Sequence, residues 1–469
     1  MKFKTYTKKL GVFLLCIGSL TGCSVDDVKP INQLTDENVI RDGKSAQQVL
    51  NGVYSGWRQF NLGYYPILLA AEGNEGVLIS ALSGSTGFNT NEIPVENPLL
   101  TEIYNAHYKI INQANFLIQE IEAGKATDIS EEEQKHLIAE AKFNRAFATF
   151  KLLRNFGEFY DMDSSMGIVL QTDFSNSVDA APRNTVQDVY KQIFDDLEYA
   201  VENGPTGVQH YYGGSLASKA LLAKVKLYAG DYEAASDLAM EVIKNEEGYS
   251  LEASYSSIFA NQMNSSEVIF APFAAPGSEG GVPMYQVKQT NPSPVLDSLA
   301  NKQVEGEGEL TGMGMGYDPR FLFAYSEATQ ASTRNAKYPN ESFVNGRTNT
   351  NYHLRLAEIY LIFAEAEVRE DGDLDEALAA LNTIRNRAGV MLKETSSPEE
   401  MLEAVREEKL LELFFENGEG WFDLIRYHNY GDVNAFDVKA SLNNKNQFIK
   451  PIPLKVLTAN NQLEQNSGY

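Results

Sequence analysis

Oxygen-bearing side chains alternate along Asp371-Gly372-Asp373-Leu374-Asp375, the spacing with which a loop surrounds a calcium ion. Counted from Asp371, an EF-hand needs glycine at the sixth position and glutamate at the twelfth. This chain has Glu376 and Asn382 there. A helix–turn–helix accounts for the same residues, with Gly372 ending one helix and Asp373 capping the next. His107, His136, His210, His353 and His428 show no metal-ligand spacing, and only Cys16 and Cys23 supply thiols. Gly312-Met313-Gly314-Met315-Gly316 lacks the spacing and the Lys-Ser/Thr of a phosphate cradle. No GxSxG elbow and no Ser/His/Asp grouping occurs. Sixty-four acids supply many carboxylate pairs, but the separation that matters in glycoside hydrolysis is spatial. None of these patterns specifies a catalytic centre, a metal or a cofactor.

What remains is aromatic content, 24 Tyr and 24 Phe against two Trp. Tyr64, Tyr65, Phe88, Tyr285 and Tyr317 lie among Asn, Gln, Gly and Ser, in stretches that lack helical period. A flat apolar ring suits the C–H face of a sugar, and neighbouring amides can donate to and accept from its hydroxyls. Loop composition therefore nominates Asn74, Glu75, Phe88, Tyr285, Gln289 and Tyr317 as ligand contacts. Packing of the loops onto a scaffold explains the same rings equally well.

The elements that must position such loops are helical. Ser45 opens a helix carrying Ala46, Val49, Leu50, Val53, Trp57 and Phe60 on one face, and a loop region is expected from Asn61 to Pro98. Thr101 begins a long stripe of Ile103, His107, Ile110, Ile111, Ala114, Leu117, Ile118 and Ile121, which makes His107 a hydrogen-bonded core residue. Ser130 to Glu133 forms a capping box. Gly230-Asp231 and Gly372-Asp373 punctuate two helix pairs in the same way, glycine C-cap before aspartate N-cap, at tetratricopeptide-like spacing. More than 100 residues separate the two, so no uninterrupted solenoid is expected. The interruption, about 249–351, is rich in Pro and Gly, with only short apolar pieces such as Val268-Ile269-Phe270 suggesting strand. Ser397-Pro398-Glu399-Glu400, a capping box with proline at the first helical position, starts a further helix, and Phe448 to Pro453 is an extended run that packs back on the helices.

At the N-terminus four lysines precede an apolar run, Leu10 to Leu20, too short for a permanent membrane helix. It ends in Leu20-Thr21-Gly22-Cys23, the form of a lipoprotein signal cleaved before Cys23, which leaves 23–44 as a lipidated tether. One mature cysteine, used as an anchor, means no disulfide. Loss of residues 1–22 lowers the 39 basic residues by four against 64 acids, so the formal charge moves from −25 to −29. Such a surface repels nucleic acid and anionic lipid, and attachment falls to the acyl chains.

Arg355-Leu356-Ala357-Glu358, Leu381-Asn382-Thr383-Ile384-Arg385, Arg387-Ala388-Gly389, Glu412 to Glu416, Trp421-Phe422-Asp423-Leu424 and the Pro451-Ile452-Pro453 to Tyr469 ending resemble the SusD/RagB family of outer-membrane nutrient-binding lipoproteins. The resemblance spans essentially the whole mature chain. Lys409 stands where arginine is usual and Gly420 replaces the arginine before the tryptophan, which puts a local ion pair in doubt. The resemblance implies a mainly α fold, 45–469 forming one domain. Tetratricopeptide-like scaffold would occupy about 45–60, 101–248 and 352–469, and a loop-rich binding part about 61–100 and 249–351. It also implies a lipoprotein anchored at the cell surface that captures oligosaccharide and hands it to a SusC-like TonB-dependent transporter, without catalysis or cofactor. A helical-repeat adaptor and a peptide binder are the alternatives.

Overall fold

The apolar steps in the sequence become paired helices. The computed structural model describes residues 39–177, 180–274, 284, 287–288, 290–301, 303–304, 316–325, 336–338 and 349–469. From the N-terminus come α1 (Gly43–Ser55), a 3₁₀ turn (Gly56–Arg58), α2 (Phe60–Glu72), β1 (Gly76–Leu78), α3 (Pro98–Glu122), α4 (Glu131–Phe156), α5 (Val186–Asn203), α6 (Ser215–Ala229) and α7 (Tyr232–Ile243). The central part contributes α8 (Tyr255–Asn261), β2 (Val268–Phe270), β3 (Thr290–Pro292), α9 (Pro294–Ala300) and α10 (Pro319–Tyr325). Then follow β4 (Leu354–Arg355), α11 (Leu356–Arg369), α12 (Leu374–Ala388), α13 (Pro398–Leu413), α14 (Glu419–Tyr430), α15 (Ala435–Val438) and α16 (Leu454–Ala459).

Sequential neighbours pack: α3 on α4, α4 on α5, α5 on α6 and α6 on α7. The next layer comes from much later in the chain. α7 packs on α11, and α11 on α12, so the two helix pairs punctuated at 230 and 372 stack directly although more than 100 residues separate them in sequence. The helical array is continuous in space although interrupted in sequence. The excursion leaves and returns through one antiparallel ladder, β2 with β4, in which Val268 faces Arg355 and Phe270 faces Leu354. A second ladder joins β1 to β3 with Gly76 opposite Pro292 and Leu78 opposite Thr290.

Most local expectations hold. Ser130 accepts from Glu133 N while the Glu133 carboxylate accepts from Ser130 N. Ser397 caps α13 by accepting from Glu400 N, with Pro398 in the first turn, but the box is not closed because Ser397 N donates to Thr395 Oγ1 instead of Glu400. His107 is buried, its Nδ1 2.7 Å from Ile103 O, and burial pushes its pKa down to about 3. Asp373 accepts from Asp375 N and Glu376 N, so the residues that alternate like a calcium loop form a helix cap.

Two details differ. Gly230 takes the left-handed conformation (φ 81°), but in the second turn Asp371 does so (φ 59°) and Gly372 does not. The matching glycine–aspartate letters therefore serve different geometries. The expected loop from Asn61 is helical as far as Glu72. Every α2 residue from Leu62 to Glu72 is buried, so no apolar stripe marks it, and Gly63 and Pro66 argue locally against helix. Pro66 leaves the Leu62 carbonyl without its intrahelical donor, and Asn351 Nδ2 donates to that oxygen at 3.4 Å.

The ion pair placed in doubt by Lys409 is made: its Nζ lies 2.6 Å from Asp423 Oδ2 and 3.4 Å from Glu365 Oε2. The glycine at 420 has its own reason. A Cβ there would collide with the Glu75 carboxylate, and one on Gly73 would sit 2.6 Å from Trp421 N. The two turns interlock through their glycines.

Candidate ligand-binding site

The excursion rests on a buried ionic frame. Four-residue spacing places Glu408 and Glu412 on one side of α13, and the turn after it, with Phe415 left-handed (φ 59°), brings Glu416 beside them. Arg320 pairs with Asp318, Glu408 and Glu412, and Arg355 with Glu267, Glu412 and Glu416. Arg385 joins Glu408, Arg387 joins Glu267 and Glu412, and Lys337 joins Glu416 at 2.6 Å. Five cations thus meet five carboxylates. Burial raises the pKa of Glu412, but Arg387, Arg355 and Arg320 outweigh it and hold the carboxyl down to about 2. This frame fixes points at 267, 318–320, 337 and 355, along the whole length of the excursion.

An open cleft of about 260 Å³ lies where α1 and its 3₁₀ turn meet the 211–212 turn and the end of β2. Tyr54, Trp57, Tyr211, Tyr212, Phe270 and Phe273 line it, with Asn51, Ser55 and Arg58 supplying polar atoms. The rings form a connected series. Phe270 touches Tyr54 (centroids 6.4 Å), Tyr54 meets Tyr212 edge-on (5.1 Å), Tyr212 meets Tyr211 (4.8 Å), and Tyr211 meets Phe273 (5.2 Å). The series runs from the core outwards, since Phe270 is buried and Phe273 is 40 % exposed. Three-residue spacing puts Tyr54 and Trp57 on one side, above α4. There Glu140 Oε2 accepts from the Tyr54 hydroxyl at 2.6 Å and Asn144 Oδ1 from Trp57 Nε1 at 2.8 Å. Asn144 Nδ2 in turn donates to Glu140 O, and Gly213 N donates to the Tyr54 oxygen at 2.7 Å. Gly213 must be glycine, because a Cβ would overlap the Phe143 ring. Burial pushes Glu140 up to about 7, the Tyr54 hydrogen bond offsetting only part of this, and pushes Tyr54 well above its usual range.

The residues nominated from loop composition do not meet in this cleft. Phe88 is fully buried with its ring edge-on to Tyr65 at 6.1 Å, so it presents no face to solvent. Glu75 is also fully buried. Its Oε2 accepts from Phe415 N at 2.5 Å, its Oε1 has no hydrogen-bond partner among the described residues, and burial pushes its carboxyl up to about 7. Asn74 is left-handed (φ 61°) and donates to Val438 O at 2.8 Å. Tyr317 is half-buried, donates to Asp297 Oδ1 and stacks on Phe321. Tyr285, Gln289 and Cys23 lie outside the described residues. Tyr64 and Tyr65, expected in a loop, are α2 residues whose hydroxyls donate to Ser83 O and Asn155 Oδ1. The cleft's own rings escaped the sequence reading because Trp57 sits on a core stripe. Tyr211-Tyr212 before Gly213-Gly214, a ring pair without helical period, was the one available signal.

A larger groove of about 620 Å³ lies between α3, residues 169–177 and α16. Its polar groups are mostly spent internally: Tyr108 donates to Val169 O, Asn460 to Ala181 O and Gln171 to Asn112 Oδ1. The aromatic cleft is the better fitted of the two to meet a ligand.

Comparison with known proteins completes the picture. The model of the SusD family matches residues 263–469, and a second model, described as starch-binding associating with outer membrane, matches 28–227. The chain belongs to the SusD/RagB family. Its mainly helical fold is that of SusD superfamily structures. A Bacteroides thetaiotaomicron member is 25 % identical, with TM-score 0.73 over 91 % of this chain and 99 % of that one. A laminarin binding SusD-like protein is 24 % identical, with TM-score 0.69 over 92 % and 100 %. SusD-like protein P2 of Formosa agariphila is 25 % identical across 97 % of this chain and 99 % of its own. At the level of the family, the second model's description supports glycan binding and association with the outer membrane.

Proposed function

We propose that this SusD-like protein captures oligosaccharide in the aromatic cleft, at the cell surface, and delivers it to a TonB-dependent outer-membrane transporter without cleaving it. The observation that carries the reading is the ring series from Phe270 out to half-exposed Phe273, bordered by Asn51, Ser55 and Arg58. Rings of this kind cover the C–H faces of a sugar, and the polar border addresses its hydroxyls. The laminarin binding protein of like fold supports the substrate class. Leu20-Thr21-Gly22-Cys23 supports lipid anchorage through Cys23. Tyr285, Gln289 and Tyr317 are proposed as further contacts from the excursion.

Affinity gels cast with laminarin or starch test the reading. The full chain is retarded and releases no reducing sugar, and Phe273→Ala abolishes retardation while leaving the circular dichroism spectrum unchanged. Equal migration of Phe273→Ala and the native chain in every glycan that retards the latter would remove the cleft from the proposal. Purification of the tagged lipoprotein from outer membranes tests the partner, which is a TonB-dependent barrel of outer-membrane size.

A further inference from the structure

We propose that Glu140 is the positioning residue of the aromatic cleft, fixing the Tyr211–Tyr212–Gly213 wall through the Tyr54 hydroxyl and making ligand affinity pH-dependent. The ligand half of this statement rests on the glycan-capture reading; the positioning half does not.

The geometry is a relay of three buried contacts. Glu140 Oε2 takes the Tyr54 proton donor at 2.6 Å, and the same hydroxyl oxygen takes Gly213 N–H at 2.7 Å. Gly213 directly follows Tyr212, whose ring lies edge-on to Tyr54 at 5.1 Å. A shift of the Tyr54 hydroxyl therefore moves one wall of the cleft. One turn along α4, Asn144 binds both Glu140 O and the Trp57 indole, so both ring anchors share one helix segment.

Charge around Glu140 is sparse where it counts. From α1 the groups around it are Tyr54 and, lining the same outer pocket, Lys44. From α4 they are Glu133 and His136, from the segment after α3 Asp128, and from the 211–213 turn the Gly213 amide and the Tyr212 ring. Glu140 forms no salt bridge among the described residues, and its one side-chain hydrogen-bond partner there is Tyr54. Burial then decides its titration and brings it near neutrality. Ionised, the carboxylate accepts a charge-assisted hydrogen bond, about twice as strong as a neutral one. Protonated, it is an ordinary carbonyl acceptor and holds Tyr54 less firmly. The cleft is better preorganised above pH 7 than below it, and preorganisation raises affinity.

Laminarihexaose binding by calorimetry at pH 6 and pH 8, together with the tryptophan indole ¹⁵N–¹H signals of the ligand-free chain, tests this. The chain has two tryptophans, and Trp57→Phe identifies the relevant signal. The native protein binds at least about threefold tighter at pH 8, and its Trp57 signal titrates near pH 7. Glu140→Gln keeps volume and an acceptor oxygen but cannot ionise. It binds at both pH values as the native chain does at pH 6, and its Trp57 signal is flat. Tyr54→Phe also loses the pH dependence, whereas His136→Asn keeps it. Persistence of the pH dependence or of the Trp57 titration in Glu140→Gln overturns the proposal, as does its disappearance in His136→Asn. Absence of hexasaccharide binding in all variants sinks the laminarin-type ligand reading instead. In that case the Trp57 signal alone decides the positioning role, for it if Glu140→Gln abolishes the titration and against it if not.

Discussion

The ionic frame beneath the excursion and the aromatic cleft beside it both bury polar groups, yet they balance them in opposite ways. In the frame five cations meet five carboxylates, and Arg355 alone bonds to Glu267, Glu412 and Glu416 within 2.9 Å. In the cleft floor one carboxylate, Glu140, relies on a neutral phenol. A matched network is rigid and intolerant of losing a member. An unmatched carboxyl near neutrality is instead adjustable by protons. The frame suits fixed geometry and the cleft suits response.

Breaking the frame produces the largest effect. Arg355→Ala takes one of its cations from each of three buried carboxylates, and urea denaturation should show a loss of about 3–5 kcal/mol. A loss below about 1 kcal/mol would mean that the network is far less tightly coupled than its geometry indicates.

The pH profiles of the two regions should diverge next. Glu412, held down to about 2 from 4.5 by its arginines against burial, stabilises the fold above its unfolded pKa, and that contribution fades as pH falls from 4.5 to 2. Glu267 opposes this in part, because there burial outweighs Arg387 and Arg355. Glu140 and Glu75 have folded values raised from 4.5 to about 7, so the native state holds their protons longer than the unfolded chain does. Their contribution is complete below pH 4.5 and is lost as pH rises through 7, by on the order of 3 kcal/mol each. Melting temperature from pH 3 to 9 should therefore peak on the acid side of neutrality, and Glu140→Gln or Glu75→Gln should flatten the alkaline fall. An unchanged fall in the double variant would refute the assignment.

Smaller still is the interlock of the two turns. Gly420→Ala, which drives a methyl into the Glu75 carboxylate, should cost about 1–3 kcal/mol by chemical denaturation. Adding Glu75→Ala should recover part of it, since the clash then has no partner; strict additivity would show that the two turns are independent.

The helical scaffold was legible in the sequence, whereas the ion pairs of the frame and the cleft were not, for physical reasons. Caps at Ser130, Asp373 and Ser397 and the stripe through His107 are local signals written within one or two helical turns. The family resemblance rested on Arg355, Arg385, Arg387, Glu412 and Glu416, which prove to be members of the frame. The cleft is assembled from residues 51–58, 211–212 and 270–273, which no periodicity links. α2 was hidden for a different reason: burial on every side removes the polar face that makes a helix visible. Phe88 shows the converse, a ring in a Gly- and Asn-rich stretch that nonetheless faces the core.

The β2–β4 ladder has a consequence for how such a chain can change. Residues 271–353 depart and rejoin the helical array across one pair of hydrogen-bonded strands, so their ends are held a single strand spacing apart, about 4.8 Å. Closure entropy for a flexible connection grows only logarithmically, roughly 0.6 kcal/mol for each doubling of its length. Segments beyond the ladder can lengthen or shorten between the points held by Asp318, Arg320 and Lys337 and by the β1–β3 ladder while the stacked helices bear little of the cost.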